Sequence, residues 1–468
     1  MTETRSGNDG HRGDDTAAEP SDIRRAPEDE PVSTGSTRRG TSGRRLSRRT
    51  LLGGAGIGVA AAAAGVAGGV AIGRATDGSS GSDRVVPFRG ERQAGIITAA
   101  QDRLHFASFD VITGNRDDLV AMLKKWTAAA ERMTRGEQTE PDGAVGLGPY
   151  VPPTDTGEAL GLSPANLTLT IGFGPGLFGP SAADPARPDR FGLASRKPPA
   201  LDDLPAFAAE RLDPARSYGD ICIQACADDP QVAVHAIRNL ARLGLGVVAV
   251  RWSQLGFGRT SSTTQSQETP RNMFGFKDGT ANLRAEDTDL LNRWVWVAGE
   301  DNPPAAQWMT GGTYLVARRI RMDIEPWDRA HLQEQERVVG RTKKTGAPLG
   351  QNGEFDTPDF QVTSYGAPVI PRTAHVRLAH PDNNNGVQIL RRGYNFTDGS
   401  DGFGHLDAGL FFIAFNRNTT TQFVPMQQTL SRRDAMTEYL IPNGSSSFAI
   451  PPGLRDPDEY WGQRLFEG

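Results

Sequence analysis

Hydrophobic and polar positions follow two different periods along the chain after residue 90, and the order of these periods predicts the secondary structure. Alternation with a period of two predicts strands at 104–111, 167–172, 220–227 and 246–252. A spacing close to 3.6 residues predicts amphipathic helices at 116–134 and 230–243. The resulting order, strand–helix–strand–strand–helix–strand, is typical of a ferredoxin-like unit.

A second, more heavily inserted set of elements follows. The same patterns predict strands at 313–324, 375–378 and 409–417, and helices at 326–339 and 427–440. The sequence therefore predicts an α+β protein with two ferredoxin-like halves, at 91–270 and 271–468. A stretch rich in Pro and Gly at 173–204 is too long for a simple turn and is expected to cover another part of the molecule.

The first 90 residues have a different composition. Residues 1–46 carry almost no large apolar side chains and are expected to be a disordered leader. Residues 47–74 contain Arg48 and Arg49 ahead of a mildly apolar run, which resembles a twin-arginine export signal. The run could also be an ordinary membrane anchor, but it consists mostly of Ala and Gly. We expect export to the cell envelope or the medium through the twin-arginine translocation machinery, a linker at 75–90, and no stable membrane span in the mature protein.

Charge and cysteine content exclude several classes of function. The formal net charge is −5 and no long basic stripe follows the leader, so the electrostatic footprint of a nucleic-acid-binding protein is missing. Cys222 and Cys226 are too few for a disulfide framework or a four-cysteine zinc site. Because both fall on the same side of one predicted strand, we expect two buried free thiols.

Three segments carry candidate chemistry, although each alone has an ordinary structural interpretation. They are GFKDGTAN at 275–282, AHVRLAH at 374–380 and ILRRGY at 389–394. Together with RQAGIIT at 92–98, GRTKKTGAPL at 340–349 and GLFFIAFNR at 409–417, they resemble the dye-decolourising (DyP-type) haem peroxidases. The twin-arginine segment and the long insertions resemble the exported branch of that family. The resemblance runs through nearly the whole chain after the signal segment, and it implies two ferredoxin-like halves with haem b (iron protoporphyrin IX) bound in the C-terminal half.

The resemblance makes His375 the proximal ligand of the haem iron, since a neutral imidazole is a suitable axial ligand. His380 is the rival candidate, and it is otherwise expected near the haem edge with Pro381 and Asp382. The other nitrogen of the ligand needs an acceptor. Glu438 is the expected acceptor, Asp434 is the alternative, and the possibility that both are solvated helix charges stays open.

On the opposite haem face the resemblance places Asp278 as an acid that moves a proton within bound peroxide, and Arg391 as a fixed positive charge. Arg392, the next residue on a strand, should point the other way.

The resemblance also assigns residues that surround the haem. Gly279, Thr280 and Ala281 are expected to allow a close approach of the backbone to the porphyrin. Leu410 and Phe412 are expected to form the apolar distal wall, with Phe411 and Ile413 facing the core, and the reverse assignment stays open.

The implied function is a haem peroxidase that reduces hydrogen peroxide and oxidises dyes, phenolic or lignin-like donors by one-electron steps. Aromatic side chains could relay electrons from donors at the surface, the candidates being Trp252, Trp294, Trp296, Trp308, Trp327 and Tyr394. Two other functions compete, a deferrochelatase that removes iron from haem and a non-catalytic haem carrier.

Overall fold

The computed structural model describes residues 84–146 and 148–467. The first half contains two helices and four strands in the order that the sequence predicts: β1 (Arg103–Val111), α1 (Arg116–Thr134), β2 (Thr168–Phe173), β3 (Ile221–Ala227), α2 (Pro230–Leu243) and β4 (Val248–Arg259). The strands lie side by side as β4-β1-β3-β2, all antiparallel. This is the strand order of a ferredoxin-like unit, so the prediction for this half is confirmed.

Local chemistry explains where α1 begins and how it packs. The side chain of Asn115 accepts a hydrogen bond from the main-chain N–H of Asp117, which caps the helix. One apolar stripe, which includes Leu119, Leu123 and Trp126, is buried against the sheet.

The second half has the same strand order with longer insertions. Its elements are α3 (Thr288–Trp294), β5 (Thr313–Met322), α4 (Ile324–Arg329), α5 (Leu332–Val339), β6 (Thr363–Ser364), β7 (Ala367–Pro368), α6 (His375–Ala379), β8 (Leu390–Arg391), β9 (Tyr394–Ser400), β10 (Leu406–Asn416), α7 (Phe423–Arg433), β11 (Leu440–Ile450) and α8 (Gln463–Phe466). Strands β11, β5, β10 and β9 are neighbours in that order, again antiparallel. Two ferredoxin-like halves therefore make up the α+β fold.

The two halves join edge to edge at both ends. Strand β2 meets β11 through the pair Phe173 and Ala449, and β4 meets β9 through the pair Phe257 and Asn395. With these pairings the strands of both halves close into one ring. An apolar core fills its interior, and buried members of that core are Phe106, Cys222, Cys226, Tyr394, Phe411, Ile413 and Phe448.

Several predicted elements of the second half are wrong. Residues 375–378 form part of the short helix α6 rather than a strand, and they contact α7. The predicted helix 326–339 is two helices, because Ala330 adopts an extended conformation between them. The predicted helix 427–440 ends at Arg433, since Asp434 is also extended and caps a separate 3-10 turn.

Strands β9 and β11 were not predicted. Strand β11 carries Ser445, Ser446 and Ser447 at buried positions, so it lacks the alternation of apolar and polar residues that identifies a strand in a sequence.

The stretch 173–204 covers the core of the first half. Leu177, Phe178 and Leu193 are buried, and Phe178 stacks on Trp308 with ring centroids 6.1 Å apart. The expected covering role is therefore confirmed, and what the stretch covers is the helix-side core of the first half.

The predicted leader at 1–46 and the signal segment at 47–74 lie outside the described residues. The predicted linker at 75–90 is described from residue 84 onward, where it is packed rather than free. Phe88 lies 5.3 Å from Trp461 between ring centroids, and Arg89 forms an ion pair with Glu131. Within the described part of the chain, no helix is both long and apolar enough to cross a bilayer.

Candidate active site

A tight turn at 271–279 presents the first candidate residue, Asp278. The main-chain N–H of Gly275 donates to the carbonyl of Asn272, and the N–H of Asp278 donates to the carbonyl of Pro270. Phe274 anchors the turn by stacking on buried Trp327, with ring centroids 4.2 Å apart. The turn therefore holds Asp278 on a fixed backbone.

The glycine that follows Asp278 satisfies two geometric requirements at once. Gly279 has a φ of +85°, a conformation that favours glycine, and a Cβ added there would lie 2.9 Å from the Cα of Ser261. The segment that Gly279 approaches closely is therefore the backbone of Ser261, just after the end of β4. Thr280 next to it donates a hydrogen bond to Glu354 at 3.2 Å, and Ala281 is exposed.

Asp278 and Arg391 face each other directly. Nη1 of Arg391 donates to Oδ1 of Asp278 at 2.6 Å, and Nδ2 of Asn272 donates to Oδ2 at 3.2 Å. The side chains are 15 % and 27 % exposed, so both groups keep some accessible surface. An acid and a fixed positive charge are therefore available side by side to a small molecule.

Asn282 positions the backbone of Arg391, a role that was not predicted from the sequence. Its Oδ1 accepts from the main-chain N–H of Arg391 and its Nδ2 donates to the carbonyl of the same residue, both at 2.8 Å. The amide also donates to the carbonyl of Ser262 and is buried. Asn282 lies within the GFKDGTAN segment, but only the fold shows that its partner is 109 residues away.

Arg391 and Arg392 point in opposite directions, as the strand geometry predicts. Arg392 is fully buried, and its guanidinium donates to Gln101 and to the carbonyl of Thr98. Of these two arginines, only Arg391 contacts Asp278.

His375 begins helix α6, and its Nδ1 lies 2.6 Å from Oδ2 of Asp434. The prediction of Glu438 as the partner is wrong, and the alternative Asp434 takes the position. The reason is the extended backbone at Asp434, which ends α7 and turns this carboxylate toward the histidine, whereas Glu438 on the following 3-10 turn is exposed. Oδ1 of Asp434 meanwhile accepts from the N–H of Met436, so both oxygens are engaged.

The pKa of His375 depends on Asp434 and also on the charges of Asp278 and Arg391. Burial lowers the pKa of His375, but the charge and hydrogen bond of Asp434 outweigh it and raise the pKa above the ordinary value. The charge of Asp278 raises it further and that of Arg391 opposes, so both groups lie within electrostatic reach of the imidazole.

The second histidine candidate is placed differently. Nδ1 of His380 accepts from the main-chain N–H of Asp382 at 3.2 Å, and Pro381 begins the short 3-10 turn between them. The ring packs edge-on against Phe360 at 5.1 Å. Burial lowers the pKa of His380. His380, Pro381 and Asp382 thus form a capped turn just after α6.

Strand β10 separates the ring interior from the candidate site. Phe411 and Ile413 are buried in the interior, while Leu410 and Phe412 are half-buried on the other face. Leu410 packs beside the cluster of Phe274 and Trp327, and Phe412 lies 5.9 Å from Phe423 on α7 between ring centroids. Residues 410–413 therefore alternate between the two faces of β10, as expected, with Phe411 and Ile413 facing the core.

The donor set fits a haem. Nε2 of His375 makes no hydrogen bond with any described residue, while the side chain keeps 35 % of its surface accessible. Within 84–146 and 148–467, no group of three or more His, Cys, Asp or Glu side chains could hold a metal ion. A single imidazole suits an iron that already has four porphyrin nitrogens. The two cysteines are buried and free, and burial raises the pKa of the Cys222 thiol, which disfavours a thiolate ligand.

Comparison with known proteins agrees with this geometry. Residues 93–258 match the family model described as Dyp-type peroxidase, N-terminal, and residues 269–455 match Dyp-type peroxidase, C-terminal. A curated relative from Yersinia pseudotuberculosis, named deferrochelatase, is 36% identical over 386 residues, which cover 81% of this chain and 85% of the relative. The deferrochelatase of Escherichia coli strain K12 is 35% identical over 383 residues, 81% of this chain and 86% of its own.

Solved structures give the same result. Ferric DtpA from Streptomyces lividans superposes with a TM-score of 0.72 at 36% identity, covering 83% of this chain and 98% of its own. A DyP-type peroxidase from Cellulomonas bogoriensis has a TM-score of 0.71 at 38% identity and covers 83% and 100%. The resemblance to the family and the predicted fold are confirmed: the chain belongs to the DyP-type peroxidases, oxidoreductases whose cofactor is haem.

Proposed function

We propose that this haem peroxidase reduces hydrogen peroxide beside Asp278 and Arg391, and that it oxidises dyes, phenolic or lignin-like donors in one-electron steps. The observation that carries the proposal is the 2.6 Å contact between these two side chains, within electrostatic reach of an imidazole whose Nε2 is available. Acid, positive charge and axial ligand are the groups that peroxide reduction at a haem requires.

His375 would hold the haem iron through Nε2. The carboxylate of Asp434 accepts the proton of Nδ1, which directs the lone pair of Nε2 outward and makes the imidazole a stronger donor. Bound haem supplies an iron centre that activates peroxide and accepts electrons one at a time from the donor.

Asp278 and Arg391 divide the work on the distal side. The Asp278 carboxylate takes a proton from one peroxide oxygen and returns it to the other, so that water can leave. A guanidinium is a fixed positive charge, so that of Arg391 stabilises negative charge that develops as the O–O bond breaks. Both side chains are mostly enclosed, which admits peroxide more readily than a bulky dye.

Bulky donors would therefore deliver electrons from the protein surface or the haem edge. Trp252 is one candidate for this relay, because it is half-buried, lines an external cavity of about 540 Å³ and stacks on Phe106 with ring centroids 5.3 Å apart. Its ring also packs edge-on against Phe411, 6.1 Å away on β10.

A second candidate function is iron release from haem with the tetrapyrrole kept intact. It is favoured by the curated relatives, which are named deferrochelatase and share about a third of their residues with this chain. A non-catalytic haem carrier is the third possibility.

One experiment separates the three functions. The purified haem-loaded protein is mixed with one equivalent of hydrogen peroxide, and its absorption, porphyrin fluorescence and donor oxidation are followed. A peroxidase consumes the peroxide and oxidises a phenolic donor with the haem retained. A deferrochelatase yields fluorescent iron-free porphyrin, and a carrier does neither. Porphyrin release without donor oxidation would refute the first proposal.

The axial ligand is tested by a pair of matched variants. His375→Ala should abolish stable haem binding, because its imidazole is the proposed protein ligand to the iron, whereas His380→Ala should keep it. A normal Soret band in His375→Ala, or its loss only in His380→Ala, would reverse the assignment.

We also propose export through the twin-arginine machinery, to the cell envelope or the medium. The support is the pair Arg48 and Arg49 followed by a weakly apolar run. Lysine at both positions keeps the charge but removes the receptor-read pair, and the protein should then stay folded and haem-loaded in the cytoplasm. Unchanged secretion of the double variant would contradict this route.

A further inference from the structure

Arg341 is a buried guanidinium without a carboxylate partner. The residue is 7 % exposed, and no Asp or Glu oxygen of the described residues lies within ion-pair distance of it. Nη1 donates to two main-chain carbonyls, those of Gly346 at 2.7 Å and Glu354 at 2.8 Å. A buried charge is costly unless it is paired, so the missing partner requires an explanation.

The obvious internal counter-ion is already engaged. The carboxylate of Glu354 pairs with Lys277 and accepts from Thr280, while only the main-chain carbonyl of Glu354 contacts Arg341. The contacts of Lys277 and Thr280 keep the pKa of Glu354 low despite its burial. The Glu354 carboxylate is therefore paired with Lys277, and it acts on Arg341 only from beyond ion-pair distance.

Two of the three nitrogens of the guanidinium are uncommitted. Nε and Nη2 of Arg341 make no hydrogen bond with any described residue, and neither is among the buried side-chain atoms that lack a partner. These donors therefore face the small surface that the residue keeps. Arg392 is the useful contrast, because it too lacks a carboxylate but its Nη1 and Nη2 are both satisfied inside the core.

The position of Arg341 connects both sides of the candidate site. A Cβ added at neighbouring Gly340 would lie 2.4 Å from Val376, the residue after His375. A Cβ added at Gly346, in the same hairpin, would lie 2.9 Å from Lys277, the residue before Asp278. The hairpin of 341–348, closed by the pairing of Arg341 with Pro348, therefore runs along the edge of the site from the His375 side to the Asp278 side.

The charged groups at this edge affect one another's pKa. Burial lowers the pKa of Arg341, the charge of Glu354 opposes this, and the nearby charge of Arg391 lowers it further. The charge of Arg341 in turn contributes to the lowered pKa of His380. Arg391 is paired with Asp278, whereas Arg341 has no ion pair among the described residues.

We propose that Arg341 binds a carboxylate of the haem itself, pairing its free Nε and Nη2 with one propionate at the edge of the site. A planar guanidinium matches a carboxylate with two parallel hydrogen bonds. Haem carries two propionates on one edge. Because the 341–348 hairpin lies between the segments of His375 and Asp278, its free guanidinium nitrogens would be within reach of that edge. The inference rests on the haem position proposed above.

The test compares haem with its dimethyl ester, which lacks the propionate charge. The wild-type protein and an Arg341→Gln variant are each loaded with either porphyrin, and loss to an excess of a haem-scavenging apoprotein is timed. Arg341→Gln should release haem about tenfold faster or more, the effect of one lost charge-assisted hydrogen bond, and should release the dimethyl ester at the wild-type rate. Arg341→Lys should retain part of the affinity for haem. Exposed Arg337→Gln, one turn earlier, is the matched control and should change neither rate.

Each alternative outcome overturns the inference. Equal acceleration for both porphyrins would make Arg341 a purely structural residue. Unchanged haem release, with a higher KM for a phenolic donor that carries a carboxylate but not for one without, would assign the carboxylate to the donor. Absorption bands typical of a single axial imidazole should persist in Arg341→Gln, so failure at Arg341 is distinguishable from failure of the His375 site, which would remove those bands in the wild type.

Discussion

Replacing Asp434 with Asn should loosen the haem without disturbing the fold. Oδ2 of Asp434 lies 2.6 Å from Nδ1 of His375, and its side chain is 4 % exposed. Oδ1 accepts from the N–H of Met436 at 2.9 Å. The substitution keeps the shape of the side chain but replaces one acceptor with a donor.

Neither orientation of the new amide satisfies both neighbours. If its oxygen still accepts from Met436, its N–H₂ group faces Nδ1 of His375, which must then be unprotonated, and the proton moves to Nε2 where the iron should bind. If the amide flips, its oxygen accepts from Nδ1 of His375, but its N–H₂ group then faces the N–H of Met436. The lost cap lowers the free energy of unfolding by about 0.5–2 kcal/mol. The expected loss of haem affinity is roughly 10–100-fold, or about 1.4–2.8 kcal/mol.

The assay is the rate of haem loss to a scavenging apoprotein, together with the reduction potential of the iron. The potential should rise in Asp434→Asn, because the negative charge behind the ligand that favours the ferric state has been removed. Glu438→Gln is the matched control, since it removes the same charge from an exposed side chain four residues later. Wild-type affinity and potential in Asp434→Asn, or the loss in Glu438→Gln instead, would refute the reasoning.

Three further outcomes are expected. Arg391→Leu should raise the barrier of the reaction with peroxide by roughly 2.7–4 kcal/mol with little change in the pH profile of the rate. Asp278→Ala should slow the reaction and also shift or flatten the acid limb of that profile. Stopped-flow rates from pH 4 to 8 that match the wild type in both variants would contradict both roles. Asn282→Ala should destabilise the protein by about 1–3 kcal/mol in urea unfolding and slow the peroxide reaction, because it unpairs the backbone of Arg391, and unchanged kinetics would show that the clamp is dispensable. In the apoprotein the pKa of His375 is raised above 6.5. The contribution of the protonated imidazole to the free energy of unfolding is therefore fully present below pH 6.5 and is lost as pH rises through the folded-state pKa. Thermal unfolding of Asp434→Asn should lack this pH-dependent contribution, and pH profiles identical to those of the wild type would contradict the reasoning.

The elements that the sequence predicts correctly are those whose residues have one strong period. Helix α1 and strand β1 match their predicted ranges to within one residue, because each buries one regular apolar face against the same core. Strand β11 was missed because three consecutive serines occupy buried positions in its middle, where pairing with β5 defines the conformation. The helix predicted at 427–440 runs past the observed end of α7, because nothing local in these residues indicates that Asp434 is extended.

The sequence by itself determined the fold class and the chemical groups that are available. Its segments carry an acid, two neighbouring arginines, a histidine and two candidate carboxylates, and strand alternation was enough to separate Arg391 from Arg392. Tertiary structure alone decided which groups meet. Arg391 reaches Asp278 across 113 residues and Asp434 reaches His375 across 59, and these contacts exist only because the second half folds its strands and helices over one site. Periodicity describes neighbours within an element, and contacts between distant segments depend on backbone breaks and burial that no local pattern encodes.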